Sequence, residues 1–145
     1  MNGSALAVNW ATDNVPAILE AWYPGEFGGK AIADVLFGDY NPAGRLPVTF
    51  YKSISDLPDF KDYNMTNRTY KYFKGDPLYP FGHGLSYSNF EYSNFKVAEK
   101  IKINESIDIS VEVKNTSKIS GDEVVQIYVS HLGDEKDQTP IRTLV

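Results

Sequence analysis

Between residues 17 and 50 the apolar positions come first as a short run, then at helical spacing, then as a second short run. Ala17-Ile-Leu-Glu-Ala-Trp22 is an apolar stretch of the kind that fills a buried strand. Pro24 and Gly25 break it. Ala31, Ile32, Val35 and Leu36 then recur on one helical face, and Gly38 stands where a helix ends on a left-handed residue. Asn41-Pro-Ala-Gly44 predicts a turn, and Leu46 to Phe50 the start of a new strand. Strand, glycine-rich turn and helix make half of an α/β layer unit. Such a turn is a usual contact point for a ligand or a neighbouring domain.

On either side the pattern changes. Ala5 to Val8 reads as the end of an apolar strand; Asn9 to Asn14 is polar, with Thr12 or Asp13 able to cap a short helical turn before Pro16. Tyr51 to Thr69 has few apolar residues in phase and predicts a long surface loop. Tyr70 to Phe73 predicts a short aromatic strand, and Pro80 to Gly84 a turn whose two glycines can take positive φ. Past Phe90 the period becomes two. Ile107, Ile109, Val111 and Val113 face one way, while Asp108, Ser110 and Glu112 face the other. Glu123 to Ser130 predicts a second strand of this type. Alternating strands joined by polar turns are the opening of an antiparallel sandwich, of which a complete example takes about 100 residues. The predicted fold class is therefore α/β followed by all-β, with the boundary between Tyr87 and Glu91 and with the pattern expected to continue beyond both ends.

Composition narrows the chemistry. The 145 residues carry a net charge of −5 and no run of Lys and Arg, which argues against a nucleic-acid surface. There is no cysteine, so disulfide frameworks and Cys-based zinc sites are excluded. No apolar run is long enough to span a membrane, and Met1-Asn-Gly-Ser4 lacks the basic and apolar regions of a signal peptide. Ten Tyr, eight Phe and two Trp suit carbohydrate platforms, and equally suit sheet packing and interfaces.

Gly28-Gly29-Lys30 is not a phosphate loop, because Ala31 follows the lysine and the spacing from Gly25 is wrong. Glu26 precedes the predicted helix. It can steady the helix start or point into a neighbouring pocket. Glycoside hydrolysis needs a second carboxylate about 5–9.5 Å away, and Glu26 has no obvious partner. His83 and His131 lack an acidic cluster at metal-ligand spacing, and no serine has the G-x-S-x-G setting of a hydrolase. Trp22 reads as packing, while Tyr23 could stack on a sugar or seal a sheet edge. Asn2, Asn64, Asn67, Asn104 and Asn115 match the glycosylation pattern, which matters only on a eukaryotic secretory route.

Several stretches together carry a resemblance. They are Asn2-Gly-Ser4, Ala21-Trp-Tyr-Pro-Gly-Glu-Phe-Gly-Gly29, Ala33-Asp-Val-Leu-Phe-Gly38, Asn41-Pro-Ala-Gly-Arg-Leu-Pro47, Arg68-Thr-Tyr-Lys-Tyr-Phe73 and Tyr79-Pro-Phe-Gly-His-Gly-Leu-Ser-Tyr87. In this order they resemble the C-terminal region of glycoside hydrolase family 3, which holds β-glucosidases and β-xylosidases. Val124 to Val129 and Pro140 to Val145 resemble the first half of the fibronectin type III-like domain that follows in many members. The resemblance implies part of an α/β sandwich over residues 1–88. Over residues 89–145 it implies part of an immunoglobulin-like, fibronectin III-like β-sandwich. It implies a retaining, exo-acting parent enzyme that removes terminal β-linked glucose or xylose, uses no cofactor and is periplasmic or extracellular.

In the family an Asp nucleophile comes from an N-terminal barrel and a Glu acid/base from upstream of the Asn-Gly-Ser segment. No catalytic residue is therefore expected in this chain, and the chain alone is expected to be inactive. Tyr23, Glu26, Arg68 and Tyr70 are the expected substrate-proximal residues, with no metal site. The expected partners are an oligosaccharide, the barrel domain and, through an exposed sheet, a second copy. The alternative reading is an autonomous carbohydrate-binding or interdomain structural module.

Overall fold

The computed structural model of the protein describes residues 2–133 and 139–145. Over these it has three short helices, one 3-10 turn at Ile54–Asp56 and two small antiparallel sheets. Helix α1 spans Asn9–Asn14, α2 Gly28–Phe37 and α3 Thr69–Tyr72. Strands β1 (Phe90–Val97) and β2 (Ile109–Asn115) form one ribbon; β3 (Tyr128–Val129) and β4 (Thr143–Leu144) form the other. No helix among the described residues is long and apolar enough to cross a membrane.

Helix α2 lies where the apolar period placed it. It ends on Gly38 at φ 82°, whose N–H bonds the Val35 carbonyl at 3.1 Å. Phe27 is the N-cap and makes no side-chain cap bond, so Glu26 sits one residue outside the helix and does not cap it. Gly28 packs so closely on Pro24 that a Cβ there would lie 2.5 Å from the proline Cγ. Helix α1 starts earlier than predicted, at Asn9. Thr12 lies inside it, and its hydroxyl bonds back to the Val8 carbonyl at 3.2 Å and meets the Tyr79 hydroxyl at 2.9 Å.

The predicted strands before residue 90 do not form. Ala5 to Val8 and Ala17 to Trp22 are not strands, and Ile18 and Leu19 are exposed. A strand exists only against a neighbour, and among the described residues none lies beside either stretch. Leu46 to Phe50 shortens to one bridge, in which the Phe50 N–H donates to Tyr79 at 2.9 Å and the Phe50 carbonyl accepts from Leu78 at 2.8 Å. Tyr70 to Phe73 is mostly helical rather than extended. Helix α3 closes with Phe73 N–H on the Thr69 carbonyl at 3.0 Å, while the Thr69 N–H caps on the Tyr51 hydroxyl at 2.7 Å.

The second half keeps its alternation. In β2, Ile109 and Val111 are half-buried while Ser110 and Glu112 are exposed. The ribbon runs in register from Phe90 opposite Asn115 to Ser93 opposite Glu112. It then slips before Lys96, where Asn94 takes φ 52°. The predicted strand Glu123 to Ser130 contracts to β3, which pairs with β4 and not with β2.

The centre is aromatic. Phe50, 4% exposed, lies 6.1 Å from Trp22 and 6.4 Å from Tyr79 between ring centroids, and Tyr79 stacks on His83 at 5.0 Å. The two halves of the chain are joined by polar contacts. Asn41 donates to the Ser88 hydroxyl at 2.8 Å and the Ser120 carbonyl at 2.9 Å. It accepts from the Ser86 hydroxyl at 3.0 Å and the Tyr87 N–H at 2.8 Å. Arg45 pairs with Glu123 at 2.8 Å, and Gln126 donates to the Gly82 carbonyl at 3.1 Å.

Candidate functional site

The loop from residue 53 to Arg68 is the most built surface feature. At its start Ser53 accepts from the Ser55 N–H at 3.2 Å, and Asp56 accepts from the Ser53 N–H at 3.0 Å. Asp59 accepts from the Lys61 N–H at 2.8 Å. Asp62 accepts from the Asn64 N–H at 2.9 Å and its side-chain amide at 2.8 Å. Arg68 then gathers the backbone. Its guanidinium donates to the carbonyls of Asn64 and Asp59 at 3.1 Å each and of Asp62 at 2.6 Å. Asn67 ties the loop's two ends, donating to the Asp56 carbonyl at 3.0 Å and accepting from the Lys74 N–H at 3.3 Å.

This winding leaves an open cavity of about 300 Å³ lined by Asp56, Leu57, Asp62, Thr66 and Asn67 among others. Phe60 and Tyr63 of the same loop are almost fully exposed. The cavity carries two carboxylates, but each already holds a backbone amide of its own turn. The lining mixes polar side chains with Leu57 and Pro58, and it does not assemble the acid and nucleophile of a glycosidase.

The four candidate residues fall into two groups. Tyr23 and Glu26 are exposed at the turn before α2. Arg68 and Tyr70 flank the start of α3 and are engaged inside the chain. The Tyr70 ring stacks on Phe81 at 4.2 Å and meets Tyr128 edge-on at 5.9 Å, and its hydroxyl accepts from the Leu144 N–H at 3.2 Å. Among the described residues no hydrogen bond or ring contact joins one group to the other. No group of three or more His, Asp or Glu stands ready to hold a metal among them either. His83 is half-buried, and burial first, then the Arg45 charge, push its pKa below the ordinary histidine value.

Sequence reasoning missed the joint made by Asn41, Arg45, Glu123 and Gln126. Its one local signal is the turn Asn41-Pro-Ala-Gly-Arg45. Nothing in that turn names Glu123, 78 residues on.

Among the described residues, short helices and an aromatic loop are hydrogen-bonded to small antiparallel ribbons. The family model described as glycosyl hydrolase family 3 C-terminal domain matches residues 1–87. The chain belongs to glycosyl hydrolase family 3.

It is 50% identical over 133 residues to a xylan 1,4-beta-xylosidase of Xylanibacter ruminicola, covering 92% of this chain and 15% of that protein. It is 42% identical over 142 residues to a periplasmic beta-glucosidase of Salmonella typhimurium, covering 89% of this chain and 19% of that protein. Among solved structures, beta-glucosidase 3B from Thermotoga neapolitana in complex with glucose superposes with a TM-score of 0.86 at 33% identity. That superposition takes in 99% of this chain and 22% of the other, so the chain spans about a fifth of the length of such relatives.

Proposed function

We propose that this chain is part of an exo-acting, retaining β-glycosidase that removes terminal β-linked glucose or xylose from oligosaccharides. One observation carries the reading: 50% identity to a xylan 1,4-beta-xylosidase runs through 92% of the chain, across both its helical and its strand-forming parts. In this reading residues 1–88 are the later part of an α/β sandwich domain and residues 89–145 open a fibronectin III-like sandwich. The strand pattern of Ile107 to Val113 supports the second assignment. Acid and nucleophile come from the barrel domain and its neighbour, outside this chain. The parent works in the periplasm or outside the cell, as the name of the Salmonella relative suggests.

Exposed Tyr23 and Glu26 are the residues we place toward substrate. Arg68 and Tyr70 act by shaping the loop and its seat. The test compares the full-length protein with this chain alone on aryl β-glucosides and aryl β-xylosides. Full-length protein should turn over at least one class, and the chain alone should match buffer. Turnover by the repurified chain, or a full-length protein inert to both classes, would refute the proposal.

A further inference from the structure

We propose that the crevice beside Thr49 is a structural water site that fastens helix α3 to the β3–β4 ribbon. Thr49 is 6% exposed, and its Oγ1 is buried without a hydrogen-bond partner. A buried hydroxyl in a folded protein normally has a partner, from the chain or from an ordered water. Here the hydroxyl borders a cavity of about 70 Å³, walled by Thr49, Tyr70, Phe73, Pro77, Phe81 and Arg142 among others. That space is enough to admit an ordered water, which needs roughly 10–15 Å³ on this measure.

The walls also select the occupant. An ordered water needs two to four polar partners, and three lining residues carry polar ends. The Thr49 hydroxyl can donate or accept. The Tyr70 hydroxyl accepts from the Leu144 N–H at 3.2 Å and keeps its own proton to donate. The Arg142 guanidinium, 5.2 Å from the centroid of the Tyr128 ring, brings several N–H donors. The other lining side chains are aromatic or proline rings and a glycine. Two of them, Pro77 and Pro80, have no backbone N–H to offer an anion. Among the described residues no lining residue is a carboxylate, so none there offers a cation a counter-charge. Water, which donates and accepts in a small volume, fits this mixture.

The location gives the site its structural role. The Ile141 N–H donates to the Lys71 carbonyl at 2.6 Å and the Leu144 N–H to Tyr70, so the crevice lies on the seam between α3 and the last described residues. Water held there links Thr49, which directly precedes the Phe50 bridge, to that seam.

The test pairs a high-resolution crystal structure of the full-length protein with melting of Thr49→Val and Thr49→Ser. Wild type and Thr49→Ser should show spherical density within hydrogen-bonding distance of the hydroxyl. Thr49→Val should lose that density and melt lower than wild type, with Thr49→Ser between the two. Three results would overturn the proposal. One is a wild-type crevice without density. Another is density of an ion or of a carboxylate from elsewhere in the polypeptide. The third is a Thr49→Val variant that melts higher than wild type, because removing an unpaired hydroxyl from a dry site relieves its desolvation.

Discussion

His83 shows how one side chain ties this fold to pH. Its ring lies on Tyr79, and burial with the Arg45 charge holds it neutral to lower pH than an exposed histidine. As pH falls through the ordinary histidine range, the unfolded chain takes up a proton before the folded chain does. Stability therefore falls across the window between the ordinary value and the lower folded one, and this contribution levels off below it. His83→Gln should flatten the stability profile just below the ordinary histidine value. Urea midpoints measured at several pH values check this, and an unchanged slope would assign the acid sensitivity to other groups. The sequence shows His83 between two glycines. It does not show Tyr79 stacked on it, nor Arg45 reaching it from a turn 38 residues earlier.

At the scale of elements, two glycines with the same backbone angle do different work. Gly38 and Gly82 both have φ 82°. A Cβ at Gly38 would meet nothing within 4 Å, so Gly38→Ala should cost only the left-handed conformation, about 1 kcal/mol. A Cβ at Gly82 would collide with the Gln126 Oε1, which also accepts from the Tyr128 hydroxyl at 2.6 Å. Gly82→Ala should therefore cost about 1–2 kcal/mol more than Gly38→Ala, because Gln126 must give up its bonds to Gly82 and Tyr128, and should disturb β3 as well. Chemical denaturation of the two variants ranks them, and equal losses would mean that Gln126 moves aside freely. The stop at Gly38 was legible in the sequence because a helix end is set by its own few residues. The contact at Gly82 was not. The strands expected at Ala17 to Trp22 and Tyr70 to Phe73 fail for a related reason. Extended structure depends on a neighbour, and alternating rings in Tyr70-Lys-Tyr72 fit a helical turn once Tyr70 finds Phe81 and Tyr128.

Across the whole molecule a few polar groups join the helical part to the strand-forming part. The Arg45 and Glu123 side chains are 12% and 16% exposed. Arg45 also donates to the carbonyls of Ala43 at 3.0 Å and Gly44 at 3.2 Å, while Glu123 accepts from the Tyr92 hydroxyl at 2.8 Å. Removing one partner leaves the other half-desolvated and unpaired, so Arg45→Ala should cost about 2–4 kcal/mol. In a double-mutant cycle with Glu123→Ala the two losses should fall short of adding by about 1 kcal/mol or more. Simple additivity would show that the joint holds without this pair. The family resemblance was legible because it lies in contiguous words such as Asn41-Pro-Ala-Gly-Arg-Leu-Pro47; the joint those words build was not, because its other half comes from Ser86 onward.

Asn41 occupies the centre of that joint, with both amide protons and both acceptor positions in use. Asparagine ages by ring closure, when the backbone nitrogen of the next residue attacks the side-chain amide. Here the next residue is Pro42, whose nitrogen carries no hydrogen to lose. That route to aspartate is closed at the one amide whose conversion would set a carboxylate against the Ser120 carbonyl. The residue that shapes the turn thus also spares the joint this one route of ageing.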